Sequence, residues 1–154
     1  MPTPPVPGTT HLHRFEVHKR LKNRLSRTDG IERVESEPSA MRPIRVRATI
    51  DTETFFERAY SPSVAELTIE WRPRRDRDEF RIQYVETDGS LSCGWHQDET
   101  HENLGASHFQ VDCSEWDGSH RESASFTDPN AMAILETCIE ELRTRVPALP
   151  DSVQ

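Results

Sequence analysis

Lysine is almost missing from this chain: two of its nineteen basic residues are lysines and the others are arginines. Apolar residues are also scarce, at 33% with a mean hydropathy of −0.78. No apolar run approaches the ~18 residues of a membrane span, so no membrane association is expected. The three cysteines, Cys93, Cys113 and Cys138, are odd in number and form no Cys-x-x-Cys pair. They read as reduced core residues, not as a disulfide framework. No Walker motif, Gly-x-Gly-x-x-Gly, Gly-x-Ser-x-Gly or His-Glu-x-x-His occurs, which argues against nucleotide hydrolysis and serine-hydrolase chemistry. The first ten residues, MPTPPVPGTT, have neither a basic nor an apolar region, so a secretory signal is not expected and a cytoplasmic location is.

What is present suits one domain, because a chain of 154 residues can bury about 70% of the surface its unfolded form exposes. The net charge of −8 and the 30% of charged residues promise high solubility. An acidic, arginine-rich composition suits a halophile's salt-tolerant cytoplasm and equally a high-GC genome. Four prolines in the first ten residues predict a disordered tail over 1–10. A single domain is expected over 11–147, with a flexible tail over 148–154.

From His11 to Arg27 the residues Leu12, Phe15, Leu21 and Leu25 fall near helical spacing among six basic side chains and one acid, Glu16. This basic helix is either a packed helix with a solvated face or a contact surface for nucleic acid or an acidic partner. Asp29-Gly30 stops it, and Ile44, Val46, Ala48 and Ile50 alternate as a half-buried strand should. Asp51 to Tyr60 fits either a short helix capped by Asp51 or Thr52 or extended structure favoured by Thr54, Phe55, Phe56 and Tyr60, and is read as strand around Phe55. Further strands are expected near 65–72, 80–86, 91–97 and 107–113. Asp128, as N-cap before Pro129, opens a terminal helix running to about Val146. The fold class is therefore α+β: an antiparallel meander of about four to six strands, covered on one face by the C-terminal helix, with the basic helix at the N-terminal side.

The registers follow from the hairpins. Over LSCGWHQDETHENLGASHFQVDC, pairing Trp95 with Phe109 also pairs Cys93 with Val111 and Leu91 with Cys113, all on one face. A two-residue turn at Asp88-Gly89 then sets Ile82 against Trp95 and Tyr84 against Cys93. Across the turn before it, Leu67, Ile69 and Trp71 face Tyr84, Ile82 and Phe80. On the opposite face this arithmetic places Glu70, Arg81, His96 and His108 in one row over four strands, with Gln110 beside it.

Three chemistries compete for that row. His96, His101 and His108, with Asp98, Glu99 and Glu102, supply types of side chain that bind transition metals, but their spacing matches no zinc motif and no metal or other cofactor is expected. Paired imidazoles beside an arginine supply a base, an acid and a clamp for a developing phosphorane charge, which suits RNA cleavage without metal. A solvated strand face carrying ordinary histidines is the third reading.

From Ala65 to Val146 the strand AELTIEW, the arm FRIQYVETDGSLSCGWH, the His-bearing loop, the strand SHFQV and the helix DPNAMAILETCIEEL resemble the TumE-like toxin family. Trp95, Asp98, His101 and His108 stand where that family has an aromatic strand, a turn rich in Asp, Pro and His, and a His-containing strand. This chain reads GWHQDETHENLGASH in place of the family's Asn-Ala-Pro-His-His run, and is more similar to small haloarchaeal proteins with a Cys-Gly-Trp-His stretch followed by His-Phe-Gln. The resemblance implies a toxin-like component acting on RNA or translation and neutralised by a helix-turn-helix antitoxin. Row and resemblance together give the candidate site: His96, His101, His108 and Asp98 as catalytic residues, with Arg81, Gln110 and Glu70 holding substrate. A non-enzymatic module binding a small molecule or a protein is the alternative.

Overall fold

The computed structural model describes residues 9–75, 77–98, 107–114 and 118–149, with side chains from 13 onward. In chain order it contains α1 (Thr9–Leu25), β1 (Ile31–Glu37), β2 (Arg45–Asp51), α2 (Thr52–Phe56), β3 (Val64–Arg72), β4 (Glu79–Glu86), β5 (Leu91–Gln97), β6 (Ser107–Cys113), β7 (Ser119–Ala124) and α3 (Ala131–Arg145). A 3-10 turn, Val146–Ala148, follows α3. The strands form one seven-stranded antiparallel sheet in which each lies beside its sequence neighbours. The fold is α+β.

The central registers are those the alternation predicts. Leu67 faces Tyr84, Trp71 faces Phe80, Ile82 faces Trp95, and Trp95 faces Phe109. Period-two alternation decides this, because slipping one strand by one residue would turn its whole apolar set to the other face. One buried cluster holds Trp71, Ile82, Tyr84, Trp95 and Phe109 from the sheet with Leu21 and Leu25 of α1 and Leu135, Ile139 and Leu142 of α3. Both long helices therefore lie on the same face of the sheet.

The sheet extends beyond the expected four to six strands because β1 and β7 join its edges. Neither IERVESE nor SHRESA alternates convincingly, since an edge strand is held by backbone hydrogen bonds on one side and need bury little. The strand expected around Phe55 is instead the short helix α2. Phe55 and Phe56 are both buried, which a helical turn permits and an alternating strand does not. Gly30, at φ +92°, is required before β1: a Cβ there would lie 2.6 Å from the Phe55 amide nitrogen.

The cap of α3 is Asn130, whose side chain accepts from the Met132 amide at 2.9 Å, while Asp128 accepts from the Asn130 amide. Pro129 thus precedes the helix and is not its first residue. Thr9 and Thr10 belong to α1 and Leu149 is buried; residues 1–8 and 150–154, where most of the expected tails fall, lie outside the described residues. Among the described residues no helix is long and apolar enough to cross a membrane.

Two contacts fasten α1. Arg24 grips the Glu136 carboxylate of α3 with both Nε and a terminal nitrogen, the latter at 2.8 Å. This pairing holds the Glu136 carboxyl below its usual value and raises the arginine. His18, fully buried, donates from Nδ1 to the Arg14 carbonyl oxygen at 2.7 Å and accepts the Trp71 amide proton at Nε2, 3.3 Å away. Trp71 lies just beyond the paired stretch of β2 and β3, so the imidazole takes the place of a missing strand partner.

Candidate functional site

The face of the sheet opposite the two long helices carries the expected row. Glu70 pairs with Arg81, Arg81 with His96, and His96 with His108 in successive ladders. The row extends at both ends, to Ser123 beyond His108 and to Arg45 beside Glu70. The two imidazoles lie edge to face, their centroids 4.9 Å apart and their planes at 86°. His96 Nε2 is 3.1 Å from Gln83 Oε1. With Gln83 in this orientation its amide oxygen accepts, so Nε2 carries a proton.

Gln83 reaches His96 because the residue between them on the neighbouring strand, Gly94, has no side chain. A Cβ at Gly94 would overlap the Ile82 carbonyl oxygen and lie 2.6 Å from Gln83 Oε1. The Cys-Gly-Trp-His stretch thus contains its own spacing device, and a glycine inside a strand is the sequence signal that marks such a close approach. Gln83 itself had no signal beyond its register position.

His108 departs from expectation. Its place on the polar face suggested an exposed side chain, yet its relative exposure is 1%. His96, by contrast, is half-buried and the more accessible of the pair. Replacing His108 therefore removes a packed group, and an acid role that needs direct access to substrate does not suit it.

The other expected site residues divide into two groups. Glu70, Arg81 and Asp98 line one cavity of about 190 Å³ together with Arg72, Glu79 and Gln97. Its neck is tied by Gln97, which donates to the Asp78 carbonyl oxygen at 2.6 Å and accepts from Ser107 Oγ at 2.7 Å. Glu70 does not orient Arg81 among the described residues; its partners are Arg45 at 3.4 Å and Arg72 at 3.6 Å. Arg81 is left exposed at the cavity wall. Gln110 is on the same face but one row away, donating to Asp112 at 3.1 Å and accepting from Arg121 at 3.2 Å. It belongs to a surface network and not to the cavity. His101, Glu99 and Glu102 lie outside the described residues. Among the described residues no group of three or more His, Cys, Asp or Glu is placed to hold a metal ion.

The basic helix is on the wrong side to steer a ligand directly to this row, because α1 packs on the apolar face against β1, β2 and β3. Two of its cations are also engaged: Arg14 donates to the Ile44 carbonyl oxygen at 3.0 Å, and Arg24 binds Glu136. Cys93 is fully buried, and burial pushes its thiol far above the usual range, which excludes it as a nucleophile. Comparison with protein-family models, with curated proteins and with solved structures finds no match to this chain.

Proposed function

We propose that the sheet face opposite the helices binds a phosphate-bearing ligand, RNA first among them, and that the protein is a toxin-like component acting on RNA, with a helix-turn-helix antitoxin as partner. The observation that carries this reading is the juxtaposition of an accessible imidazole, His96, with its strand neighbour Arg81 at the rim of a polar cavity. His96 would take the proton of a ribose 2′-hydroxyl as that oxygen attacks the adjacent phosphorus and the P–O5′ bond breaks, leaving a 2′,3′-cyclic phosphate. The departing 5′-oxygen draws its proton from solvent because no second side chain among the described residues supplies one, while Arg81 and Arg72 meet the charge on the phosphoryl oxygens. His108 serves as a packed neighbour that fixes the His96 ring. The resemblance of residues 65–146 to the TumE-like family supports the same reading from the side of sequence.

The burial of His108 favours a second reading, a binding module without chemistry, since a single accessible imidazole leaves the acid role unfilled. Incubating the purified protein with RNA, beside the His96→Ala variant, separates the two. Cleavage that falls about 100-fold in the variant supports the enzyme. RNA bound but intact supports the module. Growth arrest on expression, relieved by a small DNA-binding protein encoded next to it, supports the toxin assignment, and harmless expression without such a neighbour counts against it.

A further inference from the structure

At the opposite end of the strands from the histidines, on the apolar face, a carboxylate is buried at the last residue of β4, just before the hairpin turn. Glu86 continues the core-facing series Phe80, Ile82, Tyr84 and is 3% exposed. Its Oε2 accepts from the hydroxyls of Tyr60 and Tyr84, the latter at 2.9 Å. Burial, and then the nearby carboxylate, push both phenols well above their usual range, so both remain protonated donors.

The other oxygen, Oε1, has one neighbour, Ser90 Oγ at 3.0 Å. That hydroxyl has a single proton, and it lies closer, at 2.6 Å, to Asp88 Oδ1. The Asp88 carboxyl is correspondingly held below its usual value, first of all by this bond. That one proton serves one carboxylate at a time, so Glu86 Oε1 shares its single hydroxyl donor with Asp88. None of the ion pairs among the described residues involves Glu86. A buried carboxylate with no cation beside it, one of whose oxygens shares its only hydroxyl proton with a second carboxylate, is costly unless something supplies charge and further protons.

A cavity of about 260 Å³ opens on these two oxygens, walled by Tyr60, Leu91, Cys113, Val146 and Pro147. We propose that it binds a small organic cation whose primary ammonium group sits between Glu86 Oε1 and Ser90 Oγ, with its carbon chain against Leu91, Val146 and Pro147. An ammonium has three donors and a full charge, which answers the two oxygens together, and the mixed walls suit an alkyl chain better than a hydrated metal ion. The site is separate from the histidine row, on the other face of the sheet, and does not depend on the reading of that row.

The test is an NMR titration of the full chain with n-butylammonium, beside n-butanol as its neutral counterpart. The expected result is saturable shifts at Ser61, Ser90 and Cys113 with a Kd in the millimolar range, none with butanol, and none at His96. Glu86→Gln should weaken binding by about tenfold or more. If that variant fails to fold, the wild-type shift map and the comparison with butanol still decide. The proposal is overturned if butylammonium gives no saturable shifts. It is equally overturned if butanol binds as well, if a folded Glu86→Gln binds undiminished, or if potassium ion occupies the site in preference to the amine.

Discussion

Substituting Gly94 by alanine probes the geometry beneath His96 with the smallest possible change. The new Cβ would overlap the Ile82 carbonyl oxygen and stand 2.6 Å from Gln83 Oε1 and 3.0 Å from Gln83 Cα. The Gln83 amide is the free end of a side chain and swings away, abandoning His96. The Ile82 carbonyl belongs to the β4–β5 ladder and must move with its strand. Overpacking of this kind costs ~1–3 kcal/mol, and alanine returns ~0.5–1 kcal/mol of backbone entropy relative to glycine, leaving a net loss of about 1–2 kcal/mol. For a chain of this size that lowers Tm by ~2–8 °C. Thermal denaturation followed by circular dichroism measures the loss, and long-range nitrogen–proton NMR of the imidazoles reports whether His96 loses its Nε2 partner. Repeating the substitution in a Gln83→Ala background separates the two collisions: the His96 change should vanish while most of the stability loss remains. An unchanged Tm together with unchanged His96 resonances would refute the reasoning, because Gly94 would then not be spacing the strands.

Three further outcomes follow from the same structure. His18 is buried neutral and its pKa is lowered from 6.5, first by desolvation, so its stabilising contribution is complete above about pH 6.5. As pH falls below that value the unfolded state takes up the proton first, and stability should drop by up to ~1.4 kcal/mol per pH unit until the folded value is reached. The stability difference between wild type and His18→Asn, measured by urea unfolding from pH 7.5 to 5, should narrow on acidification; a constant difference rules this out. Trp95→Ala, removing an indole 4% exposed and packed 4.9 Å from the Phe109 ring, should cost ~3–5 kcal/mol by the same method. His108→Ala should cost about 2 kcal/mol, whereas His96→Ala should alter ligand binding or cleavage with little change in Tm; the reverse ranking would place His96 and not His108 in the packed interior.

The sheet's centre was legible from residues alone because three constraints agree there. Period-two alternation in AELTIEW, FRIQY and LSCGW, the Asp88-Gly89 turn and the symmetry of the Trp95–Phe109 arms each specify the same registers, and the row Glu70–Arg81–His96–His108 follows by counting. What lies at the edges and between layers was decided only by tertiary structure. IERVESE and SHRESA become strands because neighbouring backbones offer them hydrogen bonds, an interaction that leaves no mark on side-chain order. Phe55 and Phe56 become helical because the space under the sheet takes both rings at once. Position along a strand tells which face a side chain takes, but not what else covers that face. His108, counted correctly onto the polar side, is buried, and Glu86, a charged residue at the end of an alternating strand, lies against the core with two tyrosines. Alternation is local chemistry, recorded residue by residue, whereas burial depends on which distant segments arrive, and only the folded chain brings them together.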